Sequence, residues 1–302
     1  MSKKGSGLFS KSDRRTGSTA SAGAISTGAN RALVGFQTLF HVLASSAMGD
    51  LEVKIATDPK EIEEAQRLRF QVFNLELSKG LKSSYARGLD IDEFDAYCEH
   101  LIVRDLATGD VVGTYRLLRG SQARRHIGFY SEKEFDLSRI KALDGELMEL
   151  GRSCARKDFR DRALIPLMWE AIAEQVKKYQ VRYLFGCGSL YTTEAGEVSA
   201  MFSLLQEKYY APDRFRVSPV DACRFRGLTE SPCVSDEPVL FQRLPSLIKG
   251  YLRIGALVCG PPALDAEFGT TDFFLLLDFA SLKEEYLKRL GLLEVKGSDA
   301  PA

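Results

Sequence analysis

From Leu51 onward, extended and helix-forming segments alternate along the chain, and this order restricts the fold to the α/β class more tightly than any other feature of the sequence. Leu51–Ala56 reads as a strand. Asp58-Pro59 opens a helix running to about Leu75, because the Asp58 carboxylate suits the free N–H groups of a first turn and Pro59 lacks the N–H that such a position leaves unpaired. Cys98–Leu106 and Val111–Leu118 read as strands joined by the short turn Ala107-Thr108-Gly109-Asp110. Leu147–Cys154 is a fourth strand, Ala163–Tyr179 a helix, Val181–Cys187 a fifth strand, and Glu197–Tyr209 a further helix. The last third predicts an apolar helix over Ser246–Val258, a strand over Asp272–Asp278 and a closing helix over Ser281–Leu290, and no internal repeat is visible.

The 302 residues are enough to bury a sizeable core. Forty-one basic and 41 acidic residues cancel, which argues against binding to nucleic acid by bulk charge, so no nucleic-acid partner is expected. The six cysteines form no C-x-x-C pair, and the histidines are His41, His100 and His126, so the spacing of a zinc site is missing. Reduced thiols in a reducing compartment are the expectation, with no metal.

Residues 1–30 are rich in Ser and Gly and nearly free of large apolar side chains, which predicts a disordered tail. Through Arg31, six basic side chains face Asp13 alone, a net +5. Residues 31–49 then place Leu33, Phe36, Phe40, Leu43 and Ala47 at helical spacing. The stretch is too short and too interrupted by polar residues for a membrane span, and a signal-peptide layout is missing. A helix lying on a membrane surface, packing on the domain, plain disorder and a transit peptide all fit this composition.

Three groups of residues point to chemistry. Arg69 lies on the apolar face Ile62, Ala65, Val72 and Phe73 of the first helix. It either snorkels at the edge of that face or pairs with an acid such as Asp92, Asp95 or Glu149; the pair is the expectation, because an unpaired buried charge costs several kcal/mol. The run Asp90-Ile91-Asp92-Glu93-Phe94-Asp95 lacks the glycine and terminal glutamate of an EF-hand loop; it reads as a solvated turn or, more consistently with Arg69, as a loop holding an acid over a pocket. In Glu149-Leu150-Gly151-Arg152-Ser153-Cys154, strict alternation puts Glu149 and Arg152 on opposite faces, whereas one bulge at Gly151 turns both into a single cleft. The shared cleft is the expectation, with a sheet-edge salt bridge as the alternative reading of that pair.

On these residues the chain resembles the GNAT superfamily, and more closely its branch of ornithine-acyl-ACP N-acyltransferases. The likeness rests on Arg67-Leu68-Arg69-Phe70-Gln71-Val72-Phe73, Asp92-Glu93-Phe94-Asp95, His100-Leu101-Ile102-Val103-Arg104-Asp105, Val112-Gly113-Thr114-Tyr115-Arg116-Leu117-Leu118 and Glu149-Leu150-Gly151-Arg152-Ser153-Cys154, with further matches around Leu184, Tyr251 and Phe268. It covers about Leu51 to Leu290 and extends more distantly to acyl-homoserine-lactone synthases. The resemblance implies an α/β fold with a GNAT-like mixed central sheet flanked by helices, an acyltransferase domain over 50–292, and a flexible tail over 293–302. It implies transfer of a (3-hydroxy)fatty acyl chain to the α-amino group of L-ornithine, giving lyso-ornithine lipid. It also makes Cys187, between two glycines, a packed residue rather than a nucleophile.

One departure bears on the donor. Family members that use acetyl-CoA cradle its pyrophosphate with a Gly-rich turn; here the matching residues are Arg160-Asp161-Arg162-Ala163-Leu164-Ile165, without glycine and with an acid. Acyl carrier protein presents its acyl-phosphopantetheine without that diphosphate and is the expected donor and partner, with no permanently bound cofactor. Arg156, Arg160 and Arg162, beside Lys157, are expected to meet its phosphate, and Arg116, Arg119, Arg124, Arg125 and His126 form a second basic stretch. Glu149 is the expected base, with Arg152 beside it; Arg69, Asp92, Asp95 and Arg116 are the expected substrate-binding residues, and Arg152, Arg116 or Arg69 grips the carboxylate. Peripheral attachment to the cytoplasmic face of the cell membrane follows from the tail. Rival readings are acylation of another amino acid, lactone synthesis, and a non-catalytic membrane or carrier-protein binding module, the last favoured only if Glu149 and Arg152 point apart.

Overall fold

A computed structural model describes residues 50–160, 164–229 and 237–282. The basic tail, the amphipathic segment over 31–49 and the C-terminal residues 293–302 lie outside the described residues, as does the proposed closing helix from residue 283. Ten strands are described: β1 (Leu51–Ile55), β2 (Glu99–Asp105), β3 (Val111–Arg119), β4 (Phe135–Asp136), β5 (Glu146–Ala155), β6 (Val181–Leu190), β7 (Ser218–Pro219), β8 (Leu257–Val258), β9 (Ala263–Asp265) and β10 (Thr270–Asp278). The helices are α1 (Pro59–Arg69), α2 (Gly120–Arg125), α3 (Ser138–Lys141), α4 (Leu164–Tyr179), α5 (Ala195–Tyr209), α6 (Glu237–Arg243) and α7 (Ser246–Arg253).

The main sheet runs β1-β2-β3-β5-β6-β10-β8, with β9 added beside β10, while β4 and β7 pair separately. Within it β5 and β6 are parallel, as the intervening α4 crossover requires, and the other pairs are antiparallel. Such a mixed sheet with helices on its faces is the α/β architecture the alternation predicts. Strand alternation divides the core. Leu101 and Val103 of β2 pack with Leu164, Met168, Ile172 and Val176 of α4. Ile102, pointing the other way, packs with Ala65, Leu68 and Val72 of the first helical segment. Every residue of β10 is buried, which accounts for its unbroken apolar stretch.

Two local features position the cleft. Asp58 caps α1 by accepting a hydrogen bond from Lys60 N at 2.7 Å. Beyond Arg69 the helix widens into a π-helical turn, Phe70–Glu76, whose Phe73 faces the cleft. At the far end, α7 stops at Arg253 rather than Val258: Gly255 adopts φ +102°, a conformation open to glycine, and Leu257–Val258 joins β10 as a strand. Ile254, Ala256, Leu257 and Val258 are apolar throughout, so the sequence carries no change of composition where helix becomes strand.

Candidate active site

Pairing between β5 and β6 ends at Glu149 opposite Phe185. At that point the Leu150 carbonyl lies so close to Gly186 that a Cβ there would sit 2.2 Å from its oxygen. Beyond it the strands part, and the cleft fills the opening: Leu150, Gly151, Arg152 and Ser153 line one side, Cys187, Ser189 and Tyr191 the other. The β5 backbone also bulges against β3, where Arg116 pairs with Gly151 but Thr114 pairs with Cys154. The left-handed residue of the bulge is Arg152, at φ +50°, and not Gly151. The sequence predicts the irregularity at the glycine because glycine tolerates it most cheaply. For an arginine the cost is about 1–2 kcal/mol, and the contacts that Arg152 then makes offset it.

Those contacts form a closed circuit of six charges. Arg69 Nε lies 2.9 Å from Asp90 Oδ1, and Arg152 Nε lies 3.4 Å from the same oxygen, ion pairs by distance whose geometry does not align them as hydrogen bonds. Arg152 Nη2 donates to Asp92 Oδ2 at 3.0 Å, and Arg116 Nη1 donates to Asp92 Oδ1 at 2.5 Å and to Asp95 Oδ1 at 3.1 Å. Arg69 Nη2 closes the circuit on Asp95 Oδ2 at 2.8 Å. Three guanidiniums thus alternate with three carboxylates, each ion touching two of the opposite sign, which is how so many charges are kept from water. Burial pushes the Asp95 carboxyl up, but Arg69 and Arg116 more than offset this and hold it at about 2. Burial pushes the pKa of His100, its Nε2 against the Asp95 carbonyl at 3.1 Å, below its ordinary value.

Glu149 lines the cleft and is 4% exposed. Its carboxylate accepts hydrogen bonds from Tyr130 N (2.8 Å), Ser131 N (2.7 Å) and Ser131 Oγ (2.5 Å). Burial raises its pKa, and the Ser131 and Tyr130 donors oppose that rise only in part. A carboxyl raised in this way is suited to accepting a proton from an ammonium. Arg152 stands beside it in the same cleft, its guanidinium 4.9 Å from the Tyr130 ring centre and 4.7 Å from that of Phe268. Glu149 and Arg152 share a cleft, which weighs against the non-catalytic reading.

The structure places the other expected site residues as follows. Arg69 is fully buried and does not line the cleft; neither do Asp92 and Asp95. These three hold Arg116 and Arg152 in place through the buried circuit. Arg69 takes Asp95, one of its three expected partners, together with Asp90. In each basic stretch some of the charges are paired within the fold. Arg156 bonds Asp110 and Asp158, each at 2.9 Å, and Arg160 bonds Glu76 at 2.7 Å. Arg162 and Asp161 lie outside the described residues. Arg116 belongs to the buried circuit, Arg119 lies 4.0 Å from the Tyr179 ring centre, and Arg124 reaches Glu146 at 3.3 Å. Sequence shows where bases cluster but not which acids fold back onto them.

Three cleft residues escape sequence reasoning. Ser131 and Tyr130 lie about twenty residues from Glu149 and carry no motif; they reach it because the 3₁₀ turn Tyr130–Lys133 points its first N–H groups at the carboxylate. Asp272 is hidden inside the apolar β10 strand. It lines the cleft, accepts a hydrogen bond from Thr270 Oγ1 at 3.0 Å, and burial pushes its carboxyl up to about 6. Cys187 approaches Ser131 Oγ at 3.4 Å, and its thiol is driven well above its ordinary value by burial and by Glu134, which leaves it protonated and packed. The other described cysteines, Cys98, Cys154, Cys223 and Cys259, form no disulfide.

Residues 68–170 match the acetyltransferase (GNAT) domain family. The chain is 33% identical over 254 residues to an L-ornithine N(alpha)-acyltransferase of Brucella abortus (strain 2308), covering 81% of this chain and 90% of the relative. It is 34% identical over 260 residues to another from Rhizobium meliloti (strain 1021), covering 82% and 88% respectively. A crystal structure of TofI in a ternary complex with an inhibitor and MTA aligns at 18% identity and a TM-score of 0.46, over 80% of this chain and 96% of the other.

Proposed function

Because the chain belongs to the L-ornithine N(alpha)-acyltransferase family, built on a GNAT domain, we propose that its cleft joins a fatty acyl group from acyl carrier protein to the α-amino nitrogen of L-ornithine. The ornithine acyltransferase activity rests on one observation, about one-third identity maintained over nearly the whole length of relatives with that activity. The cleft supplies a chemistry to match. The α-ammonium gives its proton to Glu149, directly or through water. The free amine then attacks the thioester carbonyl, a C–N bond forms, the C–S bond breaks, and the departing thiolate takes up the proton that the nitrogen loses. Arg152, held by Asp90 and Asp92 but with cleft exposure, receives the α-carboxylate, and Arg116 supports it from behind. Backbone groups of β5 beyond Glu149, released from β6, face the thioester oxygen and the pantetheine amides.

The donor reading is supported by the missing glycine cradle at 160–165 and by the carboxylates of the cleft, which disfavour a polyanion such as CoA. An apolar pocket lined by Trp169, Leu184, Ile254 and Leu276 shares Leu150, Cys187 and Tyr251 with the cleft and suits an acyl chain. Lyso-ornithine lipid is the product on this reading. Among the described residues no helix is long and apolar enough to cross a membrane. The +5 sequence of the tail and the apolar residues of 31–49 support peripheral attachment at the inner membrane face.

The deciding experiment measures thiol release from acyl-ACP and from the same acyl-CoA, with each amino acid in turn. Release with ornithine and acyl-ACP, far above that with acyl-CoA, is expected. Equal use of the two donors defeats the carrier-protein reading, and release with another amino acid but not ornithine defeats the acceptor. Deleting residues 1–48 is expected to reduce co-sedimentation with anionic liposomes while sparing thiol release; undiminished pelleting defeats the tail's role.

A further inference from the structure

Behind the Glu149 side of the cleft, one carboxylate oxygen each of Glu134 and Asp272 and the Sγ of Cys187 all lie within 4.8 Å of one another. Glu134 is 4% exposed, and among the described residues neither of its oxygens has a hydrogen-bond partner. Asp272 and Asp265 line the cleft directly. Among the described residues no lysine, arginine or histidine forms a salt bridge with Glu134, Asp265 or Asp272. The Arg152 guanidinium, paired with Asp90 and Asp92, acts on Glu134 and Asp272 only at a distance and does not offset their burial. Two buried carboxylates without a cation are unfavourable, and burial together with their mutual repulsion raises both toward the neutral form. A wall built this way waits for a positive charge.

We propose that Asp272 on the cleft wall, backed by the buried Glu134, forms a subsite for the second ammonium of a diamino acid, receiving the δ-ammonium of ornithine while its α-amino group stands at Glu149. The subsite deepens the proposed function and rests on it. Two successive contacts, through Ser131 and Cys187, join the base to the subsite. The five bonds between the two nitrogens of ornithine span about 6 Å when extended. On the protein, Glu149 Oε1 is 2.5 Å from Ser131 Oγ, which is 3.4 Å from Cys187 Sγ, the atom that neighbours both acids. The neutral thiol separates base from subsite without competing for either ammonium. Sequence alone shows no such pairing, since Glu134 and Asp272 are 138 positions apart.

The test compares L-ornithine with L-norvaline, which lacks only the δ-amino group, on the full chain. Calorimetric affinities and kcat/KM with acyl-ACP are measured for the wild type, Asp272→Asn and Glu134→Gln. Both substitutions are nearly isosteric, and the amide oxygen introduced by Asp272→Asn keeps an acceptor for the Thr270 hydroxyl. The wild type is expected to favour ornithine over norvaline by about 10- to 100-fold, the usual contribution of hydrogen bonds to a charged group, and each variant to lose most of that ratio. Equal binding of the two amino acids by the wild type, or an intact ratio in both variants, overturns the subsite. Zinc and manganese are titrated into chelator-treated protein as well. Stoichiometric metal binding that both variants abolish and that ornithine does not displace assigns the cluster to a metal and overturns the ammonium. Ornithine that binds with the expected dependence on Asp272 and Glu134 but is never acylated overturns the proposed function and leaves the subsite standing. Ornithine acylated with its advantage intact in both variants does the reverse.

Discussion

Arg69 and Arg152 hold the same carboxylate oxygen: Oδ1 of Asp90 lies 2.9 Å from Nε of one and 3.4 Å from Nε of the other. One arginine closes the first helix, out of reach of solvent, and the other projects into the cleft from a bulged strand. Asp90 therefore couples the packing of α1 to the position of the guanidinium assigned to the substrate carboxylate. It follows that loss of Arg69 is felt first in stability and only through Arg152 in catalysis.

Arg69→Met is expected to lower unfolding stability by about 3–5 kcal/mol, because Asp90 and Asp95 lose a shared cation while remaining buried. Arg69→Lys restores little, since one ammonium does not reproduce the fork that spans two carboxylates. Acid unfolding adds a second check. Asp95 is held at about 2 against about 3.9 unfolded, so it contributes stability that is present above about pH 4 and fades as pH falls through about 2. Arg69→Met should move acid unfolding to higher pH; urea and acid midpoints equal to wild type would show the circuit to be ornamental.

Glu149→Gln removes the proton acceptor and is expected to reduce transfer by about 10²- to 10⁴-fold while ornithine still binds. The informative readout is the pH profile. With burial raising the Glu149 carboxyl, the wild-type acid limb of kcat/KM should stand above the ordinary glutamate range of about 4.3, and the residual activity of the variant should lack that limb. An acid limb that persists unaltered in the variant belongs to another group.

Gly186 and Gly151 face the cleft region with opposite tolerances. A Cβ at Gly186 would meet the Leu150 carbonyl oxygen at 2.2 Å, whereas one at Gly151 meets nothing within 4 Å. Gly186→Ala is expected to destabilise the chain by a few kcal/mol through strain where β5 and β6 separate. Gly151→Ala should fold normally and instead raise KM for the acyl donor, its methyl lying on the cleft wall. Thermal unfolding of both variants and donor titration of the second decide this; equal thermal shifts would refute it.

Asp272→Asn is expected to stabilise the ligand-free protein at neutral pH. Its carboxyl sits at about 6 when folded and about 3.9 when unfolded, so the wild type loses stability as pH rises from about 4 to about 6, on the order of 3 kcal/mol in all. Glu134, Asp265 and the protonated Cys187 surround it, with Arg152 the opposing charge. The gain in Tm from the substitution should be near zero at about pH 4, grow to about pH 6 and level off above. A gain independent of pH would trace it to packing.

How much was legible beforehand depends on the range of the interaction. The amino-acid order alone sets the alternation of strands and helices and the Asp58-Pro59 start of α1, and it points to a buried acid for Arg69 and an irregularity between Glu149 and Arg152, because capping, periodicity and the cost of unpaired charge act within a few residues. Long-range contacts settle the rest. They select Asp90 as the shared partner, put the left-handed conformation on Arg152 rather than Gly151, neutralise Arg156 and Arg160 with Asp158, Asp110 and Glu76, and bring Ser131, Cys187, Glu134 and Asp272 to one wall. Most of those outcomes turn on side chains tens of positions apart, up to the 138 between Glu134 and Asp272, where no local periodicity operates and only the register of the sheet fixes which charges meet.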